Sequence, residues 1–257
     1  MTDDAGCRLQ VCGPLLVCIR GVDVSAHLPG GQARALLTFL VVHRHRALSR
    51  TELVDALWPV DPPPAVDRDL SALLSRLRSV LGSDIVPARG DVGMSLPDPA
   101  HIDLEVATSQ VDHAERALAL ADWSSAWAAG HVAQAIARRG FLPDARLPWA
   151  ERERGRLREV LLRAYEAIGE SGLHLGGPAV TTARRLAEEV IAEEPLREGG
   201  YRLAMRACVA RGNPAEALLV YDRLRRVLSD ELGVDPGPES RALFNAVLAE
   251  SSANRLV

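Results

Sequence analysis

The residue types best suited to chemistry fall on one face of a single helical segment. Over Ala65–Leu81, Leu70, Leu74, Leu77 and Leu81 recur at spacings of four, three and four, which lays a continuous apolar stripe along a helix. At about 100° per residue, the opposite face carries Arg68, Ala72, Ser75, Arg76 and Ser79, with Arg78 on a flank. A guanidinium is a planar fork of donors that engages two acceptors at once, on a carboxylate, a phosphate or a base edge. That chemistry is recognition rather than catalysis. Taken alone, the run Ser75-Arg76-Leu77-Arg78 also reads as two solvated arginines on an amphipathic helix, so the surrounding elements must decide.

Reactive constellations are otherwise missing from the sequence. It holds no Gly-x-Ser-x-Gly elbow, no zinc-ligand spacing and no cysteine–histidine nucleophile context. All 30 basic residues are arginine, so a phosphate loop ending in Gly-Lys-Ser/Thr is ruled out. Cys7, Cys12, Cys18 and Cys208 lie in apolar patterns without a Cys-x-x-Cys pair, which reads as reduced, partly buried thiols. His43 and His45 lack a third nearby ligand. Trp58, Trp123, Trp127 and Trp149 each border an apolar stripe and read as core. No enzyme activity and no cofactor is expected.

The elements that must position the arginine face are legible on either side of it. Residues 7–13, 14–21 and 22–28 are β-rich runs punctuated by glycine and proline. A helix is predicted from about Gly31 to His43, with Leu36, Leu37, Leu40 and Val41 on one side. Ser49 and Glu52 have the spacing of a capping box, opening a second helix whose buried face is Leu53, Ala56 and Leu57. Trp58-Pro59 ends it, and Pro62-Pro63-Pro64 makes a stiff connection to the third helix. After Gly82, residues 84–97 read as a hairpin turning near Arg89-Gly90-Asp91. Strands, three helices and a closing hairpin are the parts of a winged helix, whose last helix can lie in a major groove.

Beyond His101 the pattern becomes nearly continuous helix, with segments near 103–121, 124–138, 149–171, 179–194, 197–211, 214–232 and 238–250. Residues 179–232 read as paired helices joined by small-residue contacts (Ala204, Ala207, Ala215, Ala217) and Tyr221, which is tetratricopeptide-like packing without a strict repeat. The fold class is therefore mainly α: an N-terminal winged helix-turn-helix over 1–101, then an all-α helical repeat domain over 102–257.

Bulk composition constrains the class loosely. Apolar residues make up 47% and charged residues 25%, as in globular proteins. No apolar run approaches the ~20 residues of a membrane span, and the start MTDDAGCRLQ is acidic, so a cytoplasmic protein without membrane contact is expected. Net charge is −4. Residues 1–103 hold 10 Arg against 12 Asp and Glu, a net of −2. A strong nonspecific DNA binder is usually basic, so composition argues mildly against nucleic acid and the case rests on pattern.

Two stretches carry a more specific signal. Residues 30–59 (GGQARALLTFLVVHRHRALSRTELVDALWP) with 67–81 (DRDLSALLSRLRSVL) resemble the winged-helix domain of the Streptomyces antibiotic regulatory protein family. Residues 194–248, above all ELGVDPGPE at 231–239, resemble that family's bacterial transcriptional activator domain. The resemblance implies a winged helix of the response-regulator effector type that binds short direct repeats in double-stranded DNA, often as two protomers side by side. It further implies contact with RNA polymerase, including its sigma subunit, and control of a secondary-metabolite gene cluster.

Carried over residue by residue, the resemblance places Arg68, Asp69, Ala72, Leu73 and Arg76 towards base edges. It places Ser75 and Arg78 near phosphates, and Ser49, Arg50 and Thr51 at the start of the supporting helix. Arg76 is the first candidate for reading a guanine through O6 and N7, and Arg89 would reach the minor groove or a phosphate from the wing. The wing departs from the family's glycine-aromatic-basic pattern, with Asp91-Val92-Gly93-Met94 in its place. Asp67 and Asp69 could cap the helix, accept from a cytosine or repel phosphate. The alternative is a protein-interaction or effector-sensing module whose DNA binding is weakened.

Overall fold

The computed structural model describes residues 6–87, 92–143 and 145–253. The chain forms two compact units that interleave in sequence. One combines Met1–Ala107 with Ile136–Arg158, the other Thr108–Ala135 with Glu159–Val257. The sequence reading divides the chain once, at residue 101.

In the first unit, strands β1 (Cys7–Gln10), β2 (Leu16–Ile19), β3 (Val22–Asp23) and β4 (Ala100–Ile102) form one sheet in the order β3-β2-β1-β4. β1 pairs antiparallel with β2, Leu9 opposite Val17, and parallel with β4, Leu9 opposite Ile102. Period-two alternation buries Cys7, Leu9, Val17 and Ile19 and leaves Arg8 outside. The third β-rich run yields only two strand residues before a turn of 3-10 helix at Ser25–His27. Past β1, the Asp103 carboxylate accepts from the backbone N–H groups of Val11 and Cys12. Burial pushes the Asp103 carboxyl up, while those donors pull it the other way.

Helix α1 (Gln32–Val42) is buried from Ala35 through Val41, so it sits at the centre of the unit. Helix α2 (Arg50–Leu57) begins with both arms of the capping box: the Glu52 N–H donates to Ser49 Oγ, and Glu52 Oε2 accepts from the Ser49 N–H at 2.9 Å. Helix α3 (Val66–Leu81) buries Leu70, Leu73, Leu74, Leu77 and Leu81. Trp149 is buried as well; its indole N–H donates to Ala56 O at 3.1 Å and its ring meets Phe39 edge-on at 5.0 Å.

Of the hairpin expected over 84–97, the described residues 84–87 and 92–97 form no strand ladder with each other. The Ser95 N–H donates to Ile85 O, but Val92 pairs with Leu48, just ahead of α2. Pro87 and Pro97 each lack a backbone donor, which weakens pairing between the arms. The proposed turn, Arg89-Gly90-Asp91, lies outside the described residues.

The second unit stacks consecutive helices. The helices beyond β4 are α4 (Asp103–Ala119), α5 (Trp123–Ala137), α6 (Pro148–Leu175), α7 (Pro178–Glu193), α8 (Glu198–Ala210), α9 (Pro214–Leu232) and α10 (Pro238–Ala253). Four of these open on proline, whose missing N–H costs nothing in a helix's first turn. Ala114, Ala129 and Ala167 let α4, α5 and α6 approach closely. Leu162, Tyr165 and Ile168 of α6 pack on Leu186 and Val190 of α7. Tyr201, Ala204, Ala207, Cys208 and Ala217 then fill the core of α7 to α10. Ala215, expected in that contact set, is exposed.

The ELGVDPGPE run has a structural explanation. Gly233 takes the left-handed conformation (φ 68°) that ends α9, and the Glu198 carboxylate then accepts from the Gly237 N–H and from Ser240 Oγ. All four cysteines are free, and burial pushes the Cys7 thiol up to about 11. Among the described residues no helix is long and apolar enough to cross a membrane.

The Ser49 N–H first, then Arg46 and the Ser49 hydroxyl, hold the Glu52 carboxyl down at about 2. A carboxylate depressed by folding contributes stability above its unfolded value of ~4.3 and loses it as pH falls through the folded value. Urea midpoints measured across that acid window should therefore fall with pH, and Glu52→Gln should flatten the dependence. Ser49→Ala should cost about 1 kcal/mol at neutral pH.

Candidate nucleic-acid interface

The leucine face of α3 is turned inward, and this alone presents Arg68, Asp69, Ala72, Ser75, Arg76 and Ser79 to solvent, where all six are exposed. They follow one another at helical spacing within the 16 residues of α3, a helix of about 24 Å at 1.5 Å per residue. Among the described residues, no hydrogen bond or ion pair engages the guanidinium of Arg68 or Arg76. Only the Arg76 carbonyl is used, accepting from Ser79 Oγ at 2.8 Å. The face can therefore offer two free cationic forks beside small residues, a surface that fits a groove lined with acceptors.

Other expected positions are tied into the fold. Arg50 Nη2 donates to Asp67 O and to Ser71 Oγ at 3.1 and 2.9 Å, bracing the start of α2 against the start of α3. Ser71 in turn donates to Asp67 O at 2.7 Å. Ser49 is half-buried in its capping box, and Thr51 is exposed in the first turn of α2. Arg78 is half-buried, with Nε donating to the carbonyls of Val86 and Pro87, so it fastens the segment after α3 as well as flanking the exposed face. Arg89 lies outside the described residues.

Leu73 requires a correction. It is 6% exposed and belongs to the core, so it does not face base edges. Its spacing already contained the signal, because Leu70, Leu73, Leu74 and Leu77 make the wide apolar face of a globular-protein helix rather than a narrow seam. The capping role considered for the acidic residues is not the one observed either. Ala65 is the N-cap of α3, without a side-chain cap, and Asp67 and Asp69 lie in its first turn. There they complement the positive end of the helix dipole. The brace from Arg50 to Ser71 was missed, and a pair 21 residues apart on different helices leaves no periodic mark in sequence. Among the described residues no group of three or more His, Cys, Asp or Glu could hold a metal ion.

Comparison with known proteins agrees with this order of parts. Residues 29–90 match the family described as transcriptional regulatory protein, C terminal, and residues 102–248 match the bacterial transcriptional activator domain. Regulatory protein AfsR of Streptomyces griseus is 33% identical over 241 residues, covering 94% of this chain and 24% of AfsR. Transcriptional regulator RedD of Streptomyces coelicolor is 29% identical over 256 residues, covering 95% of this chain and 71% of RedD. A solved structure of Mycobacterium tuberculosis EmbR in complex with a low affinity phosphopeptide superposes with a TM-score of 0.80 at 25% identity, covering 95% of this chain and 65% of that one. The chain thus spans about a quarter of the length of AfsR.

The two faces of α3 predict opposite outcomes in urea unfolding. Leu73→Ala should destabilise by about 2–5 kcal/mol, as expected for a core cavity. Arg68→Ala and Arg76→Ala should stay within about 0.5 kcal/mol of the parent. A Leu73→Ala loss inside that narrow band would return Leu73 to the outer face.

Proposed function

Because the chain belongs to the Streptomyces antibiotic regulatory protein family of transcriptional activators, we propose that it binds direct repeats in double-stranded DNA near a promoter and recruits RNA polymerase there. The observation that carries this reading is the outward face of α3, with Arg68 and Arg76 unpaired among the described residues and the leucine face buried behind them. In this mechanism α3 enters the major groove. Arg76 bonds a guanine through O6 and N7, and Arg68, Asp69 and Ala72 lie against neighbouring base edges. Ser49, Thr51, Ser75 and Arg78 approach phosphates, and the Arg50 brace keeps α2 and α3 in register during docking. Arg89 takes the wing contact.

Residues 1–101 serve as the DNA-binding domain and residues 102–257 as the activator domain. Two protomers on adjacent repeats present the activator domain to polymerase and its sigma subunit, and the controlled genes form a secondary-metabolite cluster. Net −2 over residues 1–103 means that phosphate attraction is local to α3 and its supports. The same charge balance, with Asp67 and Asp69 exposed at the front of α3, favours a second reading: an interaction or effector-sensing module that grips DNA weakly.

Selection from a random duplex pool, followed by titration of the winner across salt, separates the two readings. Enrichment of a direct repeat, bound less tightly as salt rises, is the outcome for the activator; no enriched sequence at low salt is the outcome for the interaction module. On the selected site, Arg76→Ala should cost about 1–3 kcal/mol and relax preference at one position. Binding equal to the parent would remove Arg76 from base readout.

A further inference from the structure

The first unit contains a cavity of about 730 Å³ that DNA binding does not use. That volume lies in the range of about 300–1,000 Å³ typical of small-molecule sites. Its apolar wall includes Leu15, Leu57, Leu142 and Leu147, and its polar groups are Gln32, Arg34 and Arg139.

The wall is built rather than incidental. The Gly13 N–H donates to Gly140 O at 2.7 Å, and Cys12 bridges Phe141. A Cβ at Gly13 would stand 3.1 Å from the Arg139 Cβ. Arg154 then collects the carbonyls of Phe141, Leu142 and Ala145, which holds Leu142 at a φ of 39°, a conformation side chains other than glycine rarely take. Leucine held in such a conformation fits a clamp on a ligand better than a passive loop.

Among the described residues, the charged groups that line this cavity are the arginines Arg34 and Arg139. The Arg139 guanidinium is oriented by Gln10 Oε1 at 2.8 Å. Its nearest carboxylate, Asp103 at 3.8 Å, is already engaged by the Val11 and Cys12 N–H groups. Arg34 has no hydrogen bond or ion pair to its guanidinium among the described residues. Gly31 opens α1 without a side-chain cap, so the first N–H groups of that helix add to the positive potential at the mouth. Open space surrounds the position of a Cβ at Gly31.

We propose that this cavity binds a small amphipathic organic anion, its carboxylate, sulfonate or phosphate held by Arg34 and Arg139 and its apolar body laid against the leucine wall. The inference stands on the cavity alone and holds whether or not α3 reads DNA.

Fluorescence titration of the full chain with anilinonaphthalene sulfonate tests it, with circular dichroism melts confirming that each variant is folded. The expected result is saturable one-to-one binding that decanoate displaces and decanol does not. Arg34→Gln, at an exposed position whose guanidinium is unpaired among the described residues, should weaken the probe by about tenfold or more, the scale of one charge-assisted hydrogen bond. Leu15→Trp should fill the space and abolish binding. Absence of saturable binding would overturn the proposal, as would affinity unchanged in Arg34→Gln. Displacement by decanol as strong as by decanoate would overturn the anion assignment.

Discussion

Burial of five leucines on α3 is the constraint from which the rest of the first unit follows. Leu70, Leu73, Leu74, Leu77 and Leu81 are all inside, and each is worth roughly 1.5–3 kcal/mol when removed from water. Turning the helix to expose them would cost on the order of 10 kcal/mol, as much as the whole stability of a typical domain. The outward face is therefore fixed by its opposite. Arg68 and Arg76 need no partner of their own to be held towards solvent.

The placement of α2 depends on smaller interactions. The capping box sets where α2 begins, the Trp149 indole holds the carbonyl of Ala56 near its end, and Arg50 joins its start to α3. Each hydrogen bond is worth about 1 kcal/mol, and the two from Arg50 are the ones that tie the start of α2 to the start of α3. The acidic first turn of α3 works in two directions. Asp67 and Asp69 favour the helix through its dipole, and they oppose a phosphate brought to the same end.

The second unit solves a different problem with different residues. Alanines and glycines at the crossings let helix axes approach: a Cβ at Gly169 would strike the Leu203 side chain, and one at Gly200 would meet Val190. Around this tight core, arginines pair across helices with carboxylates, as Arg197 does with Glu159 and Glu166 and Arg163 with Asp112 and Glu115. Such partly exposed pairs contribute little to stability individually. The guanidiniums of Arg68, Arg76 and Arg34 differ from these in having no ion pair among the described residues, whereas Arg139 lies 3.8 Å from Asp103.

By itself the sequence determined what is local and periodic. The leucine spacing of α3, the Ser49–Glu52 cap, the proline-opened helices and the Arg68–Arg76 face could all be read because each is set within a few residues of chain. The DPGP run was recognisable by likeness, although its reason, capture of Gly237 and Ser240 by Glu198, was not. Tertiary structure alone decided what joins distant segments. β4 completes the sheet beside β1, Val92 pairs with Leu48 where a hairpin was expected, and Leu73 goes to the core. Residues 136–158 pack with the N-terminal unit and close the cavity against Arg34. Periodicity reports the face a residue shares with its neighbours in sequence; which other face it meets is fixed only when the chain folds back on itself.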